Sequence, residues 1–186
     1  MDVVDNPLEQ GVVYQASLPV AWRPLTEPPS EDRLLSLNES NCKLLRMLSV
    51  LDDQPPEIKD ASPEIAQELI RLDSKLSLVL ELVSEVLAHQ LDVPEPTPVA
   101  VSEYGIEWQG TELPEVNRHV LVEVYLNVFF PRPLKVCAIV NAVTKQESGT
   151  AKILARFSGL SEDVRDGLAK LIFRHHRRLI ASRRSV

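Results

Sequence analysis

Apolar residues change their spacing three times along the chain, and each change marks a change of element. From Val12 to Trp22 they alternate, so that Val12, Tyr14, Ala16, Leu18, Val20 and Trp22 share one face of an extended strand. Pro19 has no amide hydrogen to give to a ladder, which predicts a sheet edge or a bulge there. From Ser30 to Leu51 the period becomes helical. Leu34, Leu37, Asn41, Leu44, Leu48 and Leu51 recur at alternating spacings of three and four. Asp52-Asp53-Gln54-Pro55-Pro56 ends that helix, because proline cannot continue it. A second helix is predicted from Ser62 as cap, with Pro63 at the first helical position and Glu64 suiting the helix dipole. It runs to about Leu91, before Pro94, Pro96 and Pro98.

Period two then returns. Val99 to Trp108 reads as one strand, and His119 to Val128 as another, with Val120, Val122, Val124, Leu126 and Val128 on one face. Leu134 to Val143 and Ala151 to Phe157 form a predicted hairpin around Glu147-Ser148-Gly149. A last helix is capped by Ser161, opens with Glu162, Asp163 and Asp166, and ends in Arg174, Arg177, Arg178, Arg183 and Arg184. Both ends complement its dipole. Its predicted core face is Val164, Leu168, Leu171, Ile172, His175 and Leu179. Five strands and three helices result. Because the first strand has no stability alone, it must pair with the later ones, which makes residues 30–92 a helical insertion in a single β-domain of residues 1–186. In that reading residues 12–22 are the first barrel strand, 97–160 the remaining strands and 161–184 the closing helix.

The second helix carries the sharpest pattern. Ile65, Leu69, Leu72, Leu76, Val79, Val83, Val86 and Gln90 step by four and three, the seam of a left-handed coiled coil. Leu69, Leu76 and Val83 take a positions; Ile65, Leu72, Val79 and Val86 take d. Leu80, Leu82 and Leu87 at e and g widen the stripe, which favours a bundle over a two-chain coil. Packing on the barrel or on the neighbouring helix is the competing reading. More than three heptads with apolar flanks exceed what one partner helix covers, so self-association is expected. Asn41, at an a position of the first helix, either sets register in such a bundle or is a solvated polar residue.

Composition narrows the function. An apolar fraction of 44% with 25% charge is that of a foldable soluble chain. Cys42 and Cys137 lack ligand-like spacing, which reads as two thiols in a reducing compartment, with one disulfide as the alternative. The acidic start Met1-Asp2-Val3-Val4-Asp5 is unlike a signal peptide, and Leu76 to Ala88 is broken by Glu81 and Glu85, so no membrane insertion and a cytoplasmic location are expected. The net charge of −7 disfavours binding to nucleic acid polymers. It is uneven, however: residues 1–100 carry 18 acids against 7 bases, and residues 101–186 carry 9 against 13. There is no Gly-rich phosphate loop or nucleophile elbow among only 6 glycines. His175 and His176 point about 100° apart on a helix and cannot chelate one ion. His89 lies on the bundle face and His119 opens a strand, so ordinary roles outweigh metal binding. The expected protein has no cofactor, no metal and no catalytic residue. The C-terminal arginines either compensate the helix dipole or hold an anion.

The segment Ala100-Val101-Ser102-Glu103-Tyr104-Gly105-Ile106-Glu107-Trp108, followed by alternating strands and the ending Leu171-Ile172-Phe173-Arg174-His175-His176-Arg177-Arg178, resembles a PilZ domain. It is most similar to the atypical, oligomeric xanthomonad branch with heptad helices inserted after the first strand. The resemblance implies a six-stranded antiparallel barrel plus helices, a tetramer, and a role in cyclic di-GMP signalling. Such domains clamp the nucleotide with Arg-x-x-x-Arg and Asp/Asn-x-Ser-x-x-Gly, arginine forks gripping phosphate and guanine. Ser102 and Gly105 match the second motif, while Ala100 replaces its acid or amide. For the first motif Arg23 and Arg33, the first two arginines of the chain, have the wrong spacing; Arg174 and Arg178 have the spacing but sit on a helix. The resemblance therefore implies a degenerate site, with cyclic di-GMP binding weak or absent and an adaptor role toward other signalling proteins. The alternative is a receptor using Arg23, Ser102 and Gly105 with Arg174 and Arg178.

Overall fold

A computed structural model describes residues 6–52, 63–90, 92–127, 130, 132–147 and 149–184. Of the sequence-based expectations, the Ser62 cap, Leu91, Val128 and Ser148 lie outside the described residues, as do the side chains of Leu87, His89, Gln90, Leu179, Arg183 and Arg184.

Six strands close into a barrel in the order β1-β2-β3-β6-β5-β4, every neighbouring pair antiparallel. They are β1 (Tyr14–Pro24), β2 (Pro96–Val101), β3 (Gly105–Gly110), β4 (His119–Val124), β5 (Leu134–Lys145) and β6 (Ala151–Ser158). Helices α1 (Glu31–Asp52) and α2 (Pro63–Gln90) are inserted after β1, and α3 (Glu162–Arg184) ends the fold. The sixth strand comes from the segment read as one strand over Val99–Trp108. Ser102 N–H donates to the Gly105 carbonyl at 2.9 Å, folding that segment into the β2–β3 turn.

Closure explains Pro19. Tyr14–Pro19 pair with Pro96–Val101 of β2, and Val20–Pro24 pair with Val120–Val124 of β4. Pro19 is buried at the changeover and its carbonyl accepts from Tyr125 N–H at 3.1 Å. The residue without a donor thus stands where β1 exchanges partners, neither at an edge nor in a bulge. A closed barrel has no edge to offer.

Alternation puts Val99, Val101, Ile106, Trp108, Val120, Val122, Val124 and Ile153 into the barrel core. Leu44, Leu45 and Leu48 of α1 join the same cluster, together with Val164, Leu168, Leu171 and Ile172 of α3. Fully burying each of these leucines contributes about 1.5–3 kcal/mol. The predicted face of α3 is thereby realised from Val164 to Ile172, and His175 continues it by stacking on Tyr14, ring centroids 4.8 Å apart.

For α1 the structure corrects the reading of Asn41. Its leucine face packs on α3 and β5. Asn41 is neither a register residue in a coiled coil nor solvated: it is 2% exposed and bonded to the β5 backbone at Lys135. Asn38 donates to the Gly159 carbonyl at 2.9 Å and accepts from Ser161 N–H at 3.2 Å. Arg132 donates to the Ser40 hydroxyl at 2.9 Å. Three successive polar contacts fix α1 to the barrel. Of the two inserted helices, α1 is thus fixed to the barrel, while the heptad residues of α2 remain exposed.

Candidate functional site

The β2–β3 turn positions Ser102 and Gly105. The Ser102 hydroxyl is fully buried; it accepts from Tyr104 N–H at 3.1 Å and Gly105 N–H at 3.2 Å, and donates to the Pro7 carbonyl at 3.4 Å. Pro7 opens a 3-10 turn, Pro7–Gln10, capped by Asn6, whose side-chain oxygen accepts from Leu8 N–H at 3.1 Å. Its ring lies on Gly105: a Cβ there would stand 2.6 Å from Pro7 Cγ and 2.6 Å from the Ala155 carbonyl oxygen. Both residues that match the strand motif thus hold the turn and the N-terminal segment together. Gly105→Ala is expected to cost about 1–3 kcal/mol, since a backbone oxygen cannot move aside as a side chain can. A melting temperature equal to that of the parent protein would contradict this account of the glycine. The dipeptide Asn6-Pro7 is itself a readable helix-start signal that sequence reasoning passed over.

Ala100 faces outward between the buried Val99 and Val101, with Gln15 and Glu107 as its register partners. It floors a hollow of about 440 Å³ whose rim carries Gln15, Ser17, Glu107, Gln109 and Lys152. Lys152 pairs with Glu107 at 3.2 Å. Among the described residues no arginine lines this hollow.

Arg156 is the register partner of Gly105 and Arg165 lies over the Tyr104 ring at 5.4 Å, but the arginines singled out from the sequence lie elsewhere. Arg23 is exposed near the far end of β1, nine residues from Tyr14, which pairs with Val101; the rise of a strand makes that roughly 30 Å. It lies with Arg33 near Cys137. Burial pushes the Cys137 thiol up more than the two guanidinium groups pull it down, so the thiol stays protonated and unreactive. Cys42 and Cys137 are both free. Arg174 donates to the Ser49 carbonyl at 3.3 Å and hydroxyl at 2.8 Å, tying α3 to α1. Arg178 lines a separate cavity of about 660 Å³ with Tyr14, Leu126, Phe130 and His175. The structure brings Ser102 and Gly105 together, but gathers neither Arg23 nor Arg174 beside them.

On α2 the pattern is plain. Ile65, Leu69, Leu72, Leu76, Val79, Val83 and Val86 are 41–63% exposed. The helix turns Ser77, Leu80 and Glu81 toward the 660 Å³ cavity and buries Ser84, whereas none of its a and d residues lines that cavity. Ile70, Leu78, Leu80 and Leu82 extend the exposed apolar surface. Among the described residues no helix is long and apolar enough to cross a membrane.

A family model described as atypical PilZ domain, cyclic di-GMP receptor, matches residues 45–185. The chain belongs to the atypical PilZ family. A PilZ structure from Xanthomonas campestris, a pathogenic protein whose tetramer self-assembles via an unusual helical bundle, has the same fold. It is 22% identical, with 91% of this chain and 90% of that one covered, at a TM-score of 0.67. A Bacillus subtilis inhibitor of motility also matches, 16% identical over 45% of this chain and 42% of its own, with a TM-score of 0.38. No curated protein matches in sequence.

Proposed function

We propose that this PilZ protein is a non-enzymatic cytoplasmic adaptor in cyclic di-GMP-linked processes, assembled through α2 into a homotetramer, and that it binds other signalling proteins rather than the nucleotide. The observation that carries the reading is the Ala100 hollow, which offers neither an arginine nor a side-chain acceptor at its centre. A hydrogen bond to a charged group contributes about 1.5–3 kcal/mol. Losing two arginine forks and one acceptor would weaken binding by three or more orders of magnitude, each 1.4 kcal/mol being about tenfold. The seam on α2 and the tetrameric Xanthomonas relative support assembly. Apolar residues at a, d, e and g suit four helices better than two. Repetition of the domain in a tetramer would raise avidity for a partner without tighter single contacts.

The test is calorimetric titration of the intact protein with cyclic di-GMP at moderate salt. No saturable heat is expected. A low-micromolar isotherm would overturn the adaptor reading in favour of a receptor with a non-standard site. One feature favours that second reading: Arg178 lines a cavity that shares Ala16 and Ser17 with the Ala100 hollow. Loss of the heat on Arg178→Ala would then place the nucleotide there.

A further inference from the structure

Helices α1 and α3 run side by side in the same direction, as the contacts Asn38 to Ser161 and Ser49 to Arg174 require. They approach closely at Gly167, where a Cβ would lie 3.1 Å from Leu45 Cδ1. Between them is a hollow of about 300 Å³ whose charges are segregated. Asp163 and Asp166 line it toward the start of α3; Lys170 and Arg174 line it further along, with Arg46 opposite on α1. From Ala169 to Arg178 α3 carries no acid. The basic end is flanked by exposed apolar side chains: Phe173, one turn beyond Lys170, is 53% exposed, and Val50, one turn beyond Arg46, is 74% exposed. Arg177, four residues from Phe173, prolongs the basic stripe on the exposed side of α3.

We infer that the basic end of the α1–α3 groove, with Phe173 and Val50 as its apolar rims, is the docking surface for a short acidic protein segment carrying at least one large apolar residue. The inference rests on the adaptor reading and gives that reading a face and a partner chemistry. Charge complementarity selects the occupant. Arg46, Lys170 and Arg177 would attract carboxylates, while a desolvated aromatic at the centre of the contact would supply the affinity. A membrane fits less well, because the apolar stripe of α3 is spent on the core and leaves Phe173 and Val50 as isolated side chains, not a continuous apolar face to insert. A nucleic acid fits less well too. Its phosphates would run on past the basic end onto Asp163 and Asp166, on a protein whose net charge is −7. A short peptide can end its acidic stretch where the arginines end.

The test is selection from a random peptide display library on the intact protein, followed by titration of a synthetic copy of the leading clone. Clones rich in Asp and Glu around one large apolar residue are expected. Their affinity should fall at least tenfold on Phe173→Ala and on Arg177→Glu, and should weaken as salt rises. Both positions are exposed, so an unchanged thermal melt will separate lost docking from lost folding. Neutral or basic clones, no enrichment at all, or acidic clones indifferent to both substitutions would each overturn the inference. So would phosphatidylserine-containing vesicles that bind in a Phe173-dependent way while no peptide does. The nucleotide titration is independent: failed selection with a silent titration leaves an adaptor that uses another face, whereas nucleotide binding overturns the adaptor itself.

Discussion

Replacing Leu76 and Val79 together with glutamate is expected to reduce the assembly to a folded monomer of 20.8 kDa in light scattering. The two residues occupy adjacent a and d positions at the middle of the exposed seam and are 63% and 55% exposed in the isolated chain. In a bundle each would bury most of its side chain, worth about 1.5–3 kcal/mol per residue in each copy. Glutamate removes that gain and places two unpaired carboxylates per chain in a desolvated layer, each of which costs several kcal/mol more. The loss is multiplied by the number of chains, so it exceeds the free energy of any ordinary association. The barrel should be unaffected, because the α2 residues that share a cavity with it are Ser77, Leu80 and Glu81, not Leu76 or Val79. Circular dichroism should therefore retain the sheet signal. A variant that kept the parent mass would remove α2 from the interface, and the tetrameric reading with it.

The parts of this fold that sequence exposed are those governed by period. Val120, Val122 and Val124 read correctly as the inward face of β4, because a half-buried strand must alternate. That α2 is one long helix was legible for the same reason. What escaped depended on contacts distant in sequence. The β2–β3 turn at Ser102 interrupts a stretch that continues to alternate through Trp108, so periodicity alone sees one strand. The leucines of α1 have coiled-coil spacing, yet a helix docked on a barrel needs the same stripe as a helix docked on another helix. Which of the two covers α1 was decided by Gly167, which admits Leu45, and by Asn38 and Asn41, which bond backbone more than ninety residues away. The candidate ligand site was legible in part. Ser102 and Gly105 are neighbours, as their spacing implied, but the position of Arg23 followed only from barrel closure, which carries β1 from β2 to β4.

Asn41→Leu should destabilise the domain by about 2–5 kcal/mol, for a reason found in the ladder between β5 and β6. Cys137 pairs with Ser158, and continuing that register would set Lys135 opposite Leu160. By then the chain has left the sheet, turning through Gly159 at φ +73° into α3. The Lys135 N–H and carbonyl would be stranded beside a buried helix. Asn41 takes the place of the missing strand: its Nδ2 donates to the Lys135 carbonyl at 2.8 Å and its Oδ1 accepts from Lys135 N–H at 3.1 Å. A carboxamide presents donor and acceptor side by side, as a strand residue does. Leucine has the same branching at Cγ but satisfies neither group, and each orphaned buried group costs about 1–3 kcal/mol. The variant Asn41→Asp would keep the acceptor, lose the donor and bring a charge into a site that is 2% exposed, so it too should destabilise. Urea unfolding is best measured in the Leu76→Glu, Val79→Glu background, where protein concentration no longer enters the midpoint. A leucine variant within about 0.5 kcal/mol of its parent, the range of an ordinary surface substitution, would show that Asn41 does not cap the ladder.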